Sequence, residues 1–303
     1  MKKETVDKIK DILSPDSILL ENESMKKHTT FKIGGEAEVY VEPTAEDLKK
    51  LLSFCREENI KTTIIGNGSN VLCSDKGIKG VTICIAKPMS GIFVEGKEIY
   101  AEAGALLGKV ARTAASESLS GMEFAAGIPG SVGGAVLMNA GAYDGEIKDI
   151  LISVDIITPD GDVLTFDASD LGLGYRHSFL METGDIIVGA RFLLNSGNES
   201  EILSKIQELN QRRIDKQPLE YPSAGSTFKR PEGYFAGKLI QDSELQGYRC
   251  GGAEVSKKHA GFVVNVGDAT ASDVLTVMNH CIDTVKEKYN VILEPEVRYI
   301  GEL

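Results

Sequence analysis

Residues 121–147 read GMEFAAGIPGSVGGAVLMNAGAYDGEI, a stretch rich in glycine and alanine and almost free of charge through its middle. Such a segment is neither a solvated linker nor an ordinary helix. Gly127, Gly130, Gly133 and Gly134, with Pro129 and Ser131 among them, let the backbone turn sharply and approach a partner, presenting N–H groups that no side chain shields. Phosphate is the partner that suits such groups. The competing explanation is a tight crossing of two elements through small residues.

A second loop, Gly66-Asn67-Gly68-Ser69-Asn70, follows the β-prone run at 62–65 and precedes Val71 and Leu72. It begins like a dinucleotide fingerprint, but Val71 holds the place of the third glycine and residues 73–77 read as a turn, so a Rossmann site is not expected. No GxxxxGK[ST] occurs in the chain. Two phosphate-type loops far apart in sequence fit one extended ligand with a pyrophosphate better than a mononucleotide.

With 303 residues, 42% hydrophobic and 26% charged, the chain has the length and composition of two or three globular domains with real cores. The opening MKKETVDKIKDILS has no apolar run behind its lysines, so no signal peptide is expected, and no stretch approaches membrane-spanning length. A cytoplasmic location is the default expectation. Five dispersed cysteines lack ligand spacing, which predicts neither disulfides nor zinc. The net charge of −12 argues against a broad nucleic-acid surface. Residues 212–258 nevertheless hold nine Lys or Arg against six Asp or Glu, a basic island suited to a small anionic ligand.

Thr44 and Asp47 read as the cap of an amphipathic helix carrying Leu48, Leu51, Leu52 and Cys55, with a strand at 61–65 after it. Short strands follow at 92–94, 99–101, 154–157, 163–166 and 185–194, interrupted by a helix over 106–116. Residues 195–198 read as a boundary, and beyond it come a helix at 199–213, a strand at 261–266, a helix at 272–288 and a terminal strand at 291–299. The fold class is α+β.

Three segments could carry chemistry. In YPSAGSTFKRP at 221–231 a small-residue turn displays Ser226 beside the basic pair Lys229 and Arg230; a plain Ser/Gly turn reads equally well. No GxSxG surrounds Ser226, and the four histidines sit in no recognisable motif. In GYRHS at 174–178, Arg176 could stabilise charge developing on a carboxylate or enolate, or form a surface ion pair. In LEPEVR at 293–298, Pro295 fixes an extended backbone and alternation sends Glu294 and Glu296 to one face. That spacing suits a raised carboxyl pKa, or an ordinary polar strand.

Taken together, HTTFKIGG at 28–35, IIGNGSNVL at 64–72, the 121–147 stretch, GYRHS, PSAGSTFKRP at 222–231 and LEPEVRYIG at 293–301 occur in the order seen in the UDP-N-acetylenolpyruvoylglucosamine reductase family, which the chain resembles over nearly its whole length. The resemblance implies a two-lobed FAD-binding domain of the vanillyl-alcohol oxidase and p-cresol methylhydroxylase type. It places the lobes at 1–82, completed by 298–303, and at 83–197, with an α+β substrate-binding domain at 198–297. It also implies an FAD-dependent, NADPH-consuming reduction of the enolpyruvyl ether of UDP-N-acetylglucosamine enolpyruvate to UDP-N-acetylmuramate, for peptidoglycan synthesis.

Carried over residue by residue, the resemblance makes Ser226 the proton donor and Arg176 and Glu296 the stabilisers of carboxylate and enolate. FAD falls to Gly66, Asn67, Gly68, Ser69, Asn70, Gly127, Pro129, Gly130, Ser131, Gly133, Gly134, Asn139, Gly141, Ala142, Arg212 and Arg298. The substrate falls to Tyr175, Lys216, Lys229, Arg230 and His259. The short spacing from Arg176 to Lys216 resembles the second, shorter type of the family, with His259 and Arg230 where the longer type has a glutamine and an asparagine. Partners are then small molecules, with no nucleic acid or membrane, and the chain a monomer or weak oligomer. Two other readings stay open: an oxidase on the same FAD fold, which has no need of Ser226, and a non-catalytic UDP-sugar sensor, which has no need of Arg176 and Glu296.

Overall fold

The computed structural model describes residues 1–302. Contacts divide the chain into two compact units. The first comprises Met1–Glu21, Val39–Asn67 and Gly80–Arg213; the second comprises Asn22–Glu38, Gly68–Lys79 and the chain from Ile214 onward.

The first unit opens with the helix Lys3–Ile12, which buries Val6 and Ile9 and which the sequence reading passed over. Next comes the helix Ala45–Glu57, where the Thr44 hydroxyl accepts from the Asp47 N–H as the sequence predicts, and Leu48, Leu51 and Cys55 turn inward. A four-stranded sheet runs in the order Ile18–Ser24, Glu36–Glu42, Ile78–Cys84, Thr62–Ile65. Its last pair is parallel, with Ile65 opposite Cys84. A five-stranded sheet runs Val163–Asp167, Leu151–Ile157, Ile186–Leu193, Glu98–Glu102, Ile92–Glu95, antiparallel throughout. The strands expected at 92–94 and 99–101, and those at 154–157 and 163–166, pair as antiparallel hairpins.

Buried Val154, Ile156, Phe192 and Ile99 from the five-stranded sheet share one core with Leu107, Val110 and Ala114 of the helix Leu107–Ser116. The glycine-rich stretch lies on this core as a 3-10 turn, Glu123–Gly127, and a six-residue helix, Val132–Leu137. The N–H groups of Val132 and Gly133 donate to the carbonyls of Ala105 and Ala103 at 2.8 and 2.9 Å. A Cβ at Gly133 would lie 3.0 Å from the Ala103 Cβ, so at this position the glycine serves close packing.

In the second unit Val71–Cys73 pairs in parallel with Arg298–Ile300. A three-stranded antiparallel sheet runs Arg249–Cys250, Ala253–Val255, Val263–Asn265. The helix Ala271–Tyr289 packs Val274, Val277 and Cys281 into a core with Phe31, Leu72 and Leu293. Its N-terminus is closed by a Thr270/Asp273 capping box and by the Asp75 carboxylate, which accepts from the Ala271 and Ser272 N–H groups at 2.7 and 3.0 Å.

Two sequence expectations need correction. The terminal strand expected at 291–299 is confined to Arg298–Ile300; before it the chain makes a single antiparallel bridge, Phe228 to Pro295, which does not extend because the Thr227 N–H donates to Gly261 and the Glu296 carbonyl accepts from Asn70. The helix expected to end at 213 continues to Lys216. No helix among the described residues is long and apolar enough to cross a membrane.

Candidate active site

Two glycine loops meet in the first unit. The Asn67 Nδ2 donates to the Pro129 carbonyl at 2.6 Å, and a Cβ at Gly66 would stand 2.4 Å from the Ser131 Oγ. Ser131 is buried and its hydroxyl has no hydrogen-bond partner among the described residues. A buried hydroxyl without a partner is costly. Here it sits where the two loops touch, and a phosphate oxygen is a fitting acceptor for it. The Ser131 hydroxyl and the N–H groups of this place, where Gly66, Asn67, Gly130 and Gly134 gather, suit the pyrophosphate of FAD, while Pro129 offers only the carbonyl that Asn67 already holds.

Gly127, at the entry to the loop, is held by a residue the sequence reading did not single out. Arg213 donates from Nη1 to the Gly127 carbonyl, and burial lowers the pKa of its guanidinium. Arg212, the arginine expected to touch FAD, packs instead over the Tyr143 ring at 4.8 Å and lies 3.8 Å from Glu208. The buried side chains of Glu199–Lys216 are Ile202, Ile206 and Leu209, and Arg213 continues that stripe one turn on. The periodicity carried the signal that residue type alone did not.

Asn139, also expected at FAD, is fully buried with φ 40°. Its amide donates to the Gly174 carbonyl at 2.9 Å and to Glu146 at 3.2 Å, and its Oδ1 accepts from the Lys148 N–H at 2.9 Å. Both amide hydrogens are thereby committed within the protein. Asn139 ties the glycine stretch to the turn at 174–177, where Gly174 and His177 exchange backbone bonds and Tyr175 and Arg176 stand at the tip. Arg176 takes the left-handed φ of 54°, lies 5.1 Å from the Tyr175 ring centroid and donates from Nη2 to the Gly141 carbonyl at 3.2 Å. Gly141 and Ala142 pair with Glu146 and Gly145, so these residues form one network. The Glu146 carboxyl is held below its usual range, chiefly by its hydrogen bond to Lys148 and further by the Arg176 charge.

In the second unit Ser226 is exposed beside a clamped neighbour. The Thr227 N–H donates to the Gly261 carbonyl at 2.8 Å, its hydroxyl accepts from the Val263 N–H at 2.8 Å, and its carbonyl accepts from the Glu296 N–H at 2.9 Å. The Glu296 carbonyl in turn accepts from Asn70 Nδ2 at 3.1 Å, and the Asn70 carbonyl from the Arg298 N–H at 3.0 Å. Asn70 thus anchors the segment that bears Glu296. Gly68 is pinned by the Thr30 N–H at 3.0 Å, and Thr30 donates from its hydroxyl to the Ser223 carbonyl at 2.6 Å. Ser69 is half-buried between these anchors.

Lys229 pairs with Glu294 at 3.3 Å. Arg230 stacks over the Phe235 ring at 4.0 Å. His259 accepts the Gly261 N–H on Nδ1 at 3.1 Å, which leaves Nε2 to carry the proton of the neutral ring. Burial keeps its pKa below the ordinary value, and the Lys216 charge adds to this.

Comparison with known proteins agrees in both units. The FAD binding domain family matches residues 37–167, and the UDP-N-acetylenolpyruvoylglucosamine reductase, C-terminal domain, matches residues 217–300. The UDP-N-acetylenolpyruvoylglucosamine reductase of Agathobacter rectalis is 53% identical over 300 residues, covering 95% of this chain and 96% of that protein. The crystal structure of the corresponding reductase of Thermus caldophilus matches with a TM-score of 0.80 at 35% identity, over 93% of this chain and 98% of that one. The glucose dehydrogenase Phl p 4.0202 shares the fold over 64% of this chain and 44% of its own, with a TM-score of 0.50 at 14% identity. With both domains matched and relatives at 53% and 35% identity over nearly the whole length, the chain belongs to the UDP-N-acetylenolpyruvoylglucosamine reductase family.

Proposed function

We propose that the chain carries out its family's reaction, the NADPH-dependent reduction of UDP-N-acetylglucosamine enolpyruvate to UDP-N-acetylmuramate, with Ser226 as proton donor and Arg176 and Glu296 as stabilisers of the developing charge. Bound FAD supplies the carrier that takes a hydride from NADPH and delivers it to the terminal carbon of the enolpyruvyl group. The neighbouring carbon then holds carbanion or enolate character and needs a proton, and the substrate carboxylate needs a cation. Arg176 is a permanent cation held at the tip of a short turn, which suits the carboxylate. Ser226 is exposed while its neighbour Thr227 is fixed on three sides, so its hydroxyl is presented from rigid backbone.

The observation that carries this reading is the backbone bond from Glu296 to Thr227, which draws the segments of Ser226 and Glu296 together across 70 residues of sequence. A serine is a poor acid in water, and only nearby charge makes its proton available. His259 and Lys216, with Arg230 and Tyr175, are assigned to the UDP-sugar: a neutral imidazole N–H can donate to it and Lys216 can meet its diphosphate. The substrate is a nucleotide-linked small molecule, which fits work in the cytoplasm by a monomer or weak oligomer.

An anaerobic titration tests the whole reading. NADPH should bleach the flavin absorbance and UDP-N-acetylglucosamine enolpyruvate should restore it. Recovery with oxygen alone would instead mark an oxidase, and bleaching without recovery by any enolpyruvyl ether would remove the assigned substrate.

A further inference from the structure

The loop at Gly66 is anchored from beneath by a thiol. Cys84 ends the strand Ile78–Cys84, is buried, and lies opposite Ile65 in parallel register. Its Sγ stands 3.4 Å from the Gly66 carbonyl oxygen. The hydroxyl of Tyr40, 1% exposed, lies beside the same sulfur and spends its one hydrogen on Glu42 Oε1 at 2.9 Å. Burial pushes the Cys84 thiol up to about 12. At neutral pH it therefore keeps its proton, and a carbonyl can only accept it.

A trans peptide sends its C=O and the following N–H in opposite directions, and no peptide bond among the described residues is cis. A bond that draws the Gly66 carbonyl onto the buried sulfur therefore turns the Asn67 N–H away from it. Glycine by itself does not fix a peptide orientation. We infer that Cys84 is a positioning residue that sets the Gly66–Asn67 peptide so that the Asn67 N–H is offered to the pyrophosphate of FAD. The inference rests on FAD occupying the glycine loops. Loss of the thiol donor leaves the peptide free to sample both orientations, and apparent affinity falls with the population of the competent one. For one hydrogen bond the expected change is about three- to tenfold in Kd.

The test uses the full chain, stripped of FAD and titrated with FAD while flavin fluorescence is followed, with thermal unfolding of each apoprotein measured beside it. Cys84→Ala should raise the FAD Kd about three- to tenfold, and Cys84→Ser, which restores a donor, should bring it back to within about twofold of wild type. Wild-type affinity in Cys84→Ala overturns the inference; so does a Cys84→Ser variant as weak as Cys84→Ala, since size rather than the donor would then be at work. If Cys84→Ala does not fold, Cys84→Val, which fills the space without a donor, should weaken FAD in the same direction, and unchanged affinity overturns the inference. A wild-type apoprotein that binds no FAD overturns the cofactor reading itself, a failure distinct from any effect of these variants.

Discussion

The Glu296 N–H donates to the Thr227 carbonyl at 2.9 Å, so the carboxylate-bearing segment is fixed to the residue that follows Ser226. The bond spans most of the C-terminal family domain, and its partner on the other side of Glu296 is Asn70, from the second glycine loop. Backbone bonds of this kind survive side-chain substitution. The chemistry of Ser226 and Glu296 can therefore be tested without moving the frame that carries them.

Ser226→Ala removes only a hydroxyl at an exposed position. Flavin reduction by NADPH should stay near the wild-type rate, while reoxidation by the enolpyruvyl substrate should slow by about a hundred- to ten-thousandfold, the range for loss of a general acid. Stopped-flow absorbance of the two half-reactions separates them. Equal slowing of both steps would show that the substitution disturbs the site as a whole and would remove Ser226 as proton donor.

Arg213 and Arg212 are adjacent but differ in what they hold. Arg213→Met leaves the Gly127 carbonyl without its charged donor and should weaken FAD binding about ten- to a hundredfold, the worth of a hydrogen bond to a charged group. Arg212→Met, which loses contacts to Tyr143 and Glu208, should stay within about threefold of wild type. Fluorescence titration of the two apoproteins with FAD decides it. The reverse ranking would restore Arg212 as the cofactor contact.

This pair also shows what a sequence makes legible. Composition and local patterning mark both glycine loops, the capped helix at Thr44 and the short strands, because each depends on neighbours in the chain. The family resemblance points at Arg212; the burial of Arg213 becomes visible only along the stripe of Ile202, Ile206 and Leu209. The resemblance assigns Asn139 and Gly133 to FAD, and in the structure their donors go to Gly174, Glu146 and Ala103, partners up to 35 residues away. Contacts at that range set which of the site's polar groups remain to meet a ligand. They leave no local pattern.

Asn139 joins the glycine stretch to the base of the turn that carries Arg176. Asn139→Ala should leave the FAD Kd within about threefold of wild type, lower the melting temperature through the buried partners left unpaired, and slow the substrate half-reaction at least tenfold. In an Arg176→Ala background the same change should add little further loss of that half-reaction, because its effect passes through Arg176. A variant that instead loses FAD would return Asn139 to the cofactor site.

Acid stability should depend on Asp47. Burial opposes its charge, but hydrogen bonds from the Ser14 hydroxyl and N–H, the Ser17 hydroxyl and Thr44 draw its pKa down from 3.8 to about 2. A carboxyl whose folded pKa is depressed stabilises the fold above its unfolded value and loses that contribution as pH falls through the folded one. The shift corresponds to about 2 kcal/mol, present at neutral pH and lost between about pH 4 and pH 2. Asp47→Asn should therefore lower stability at pH 7 and flatten its decline across that window, read from urea unfolding midpoints at successive pH values. A variant whose midpoint falls in parallel with wild type from pH 5 to pH 2 would place the acid sensitivity of the first unit on another group.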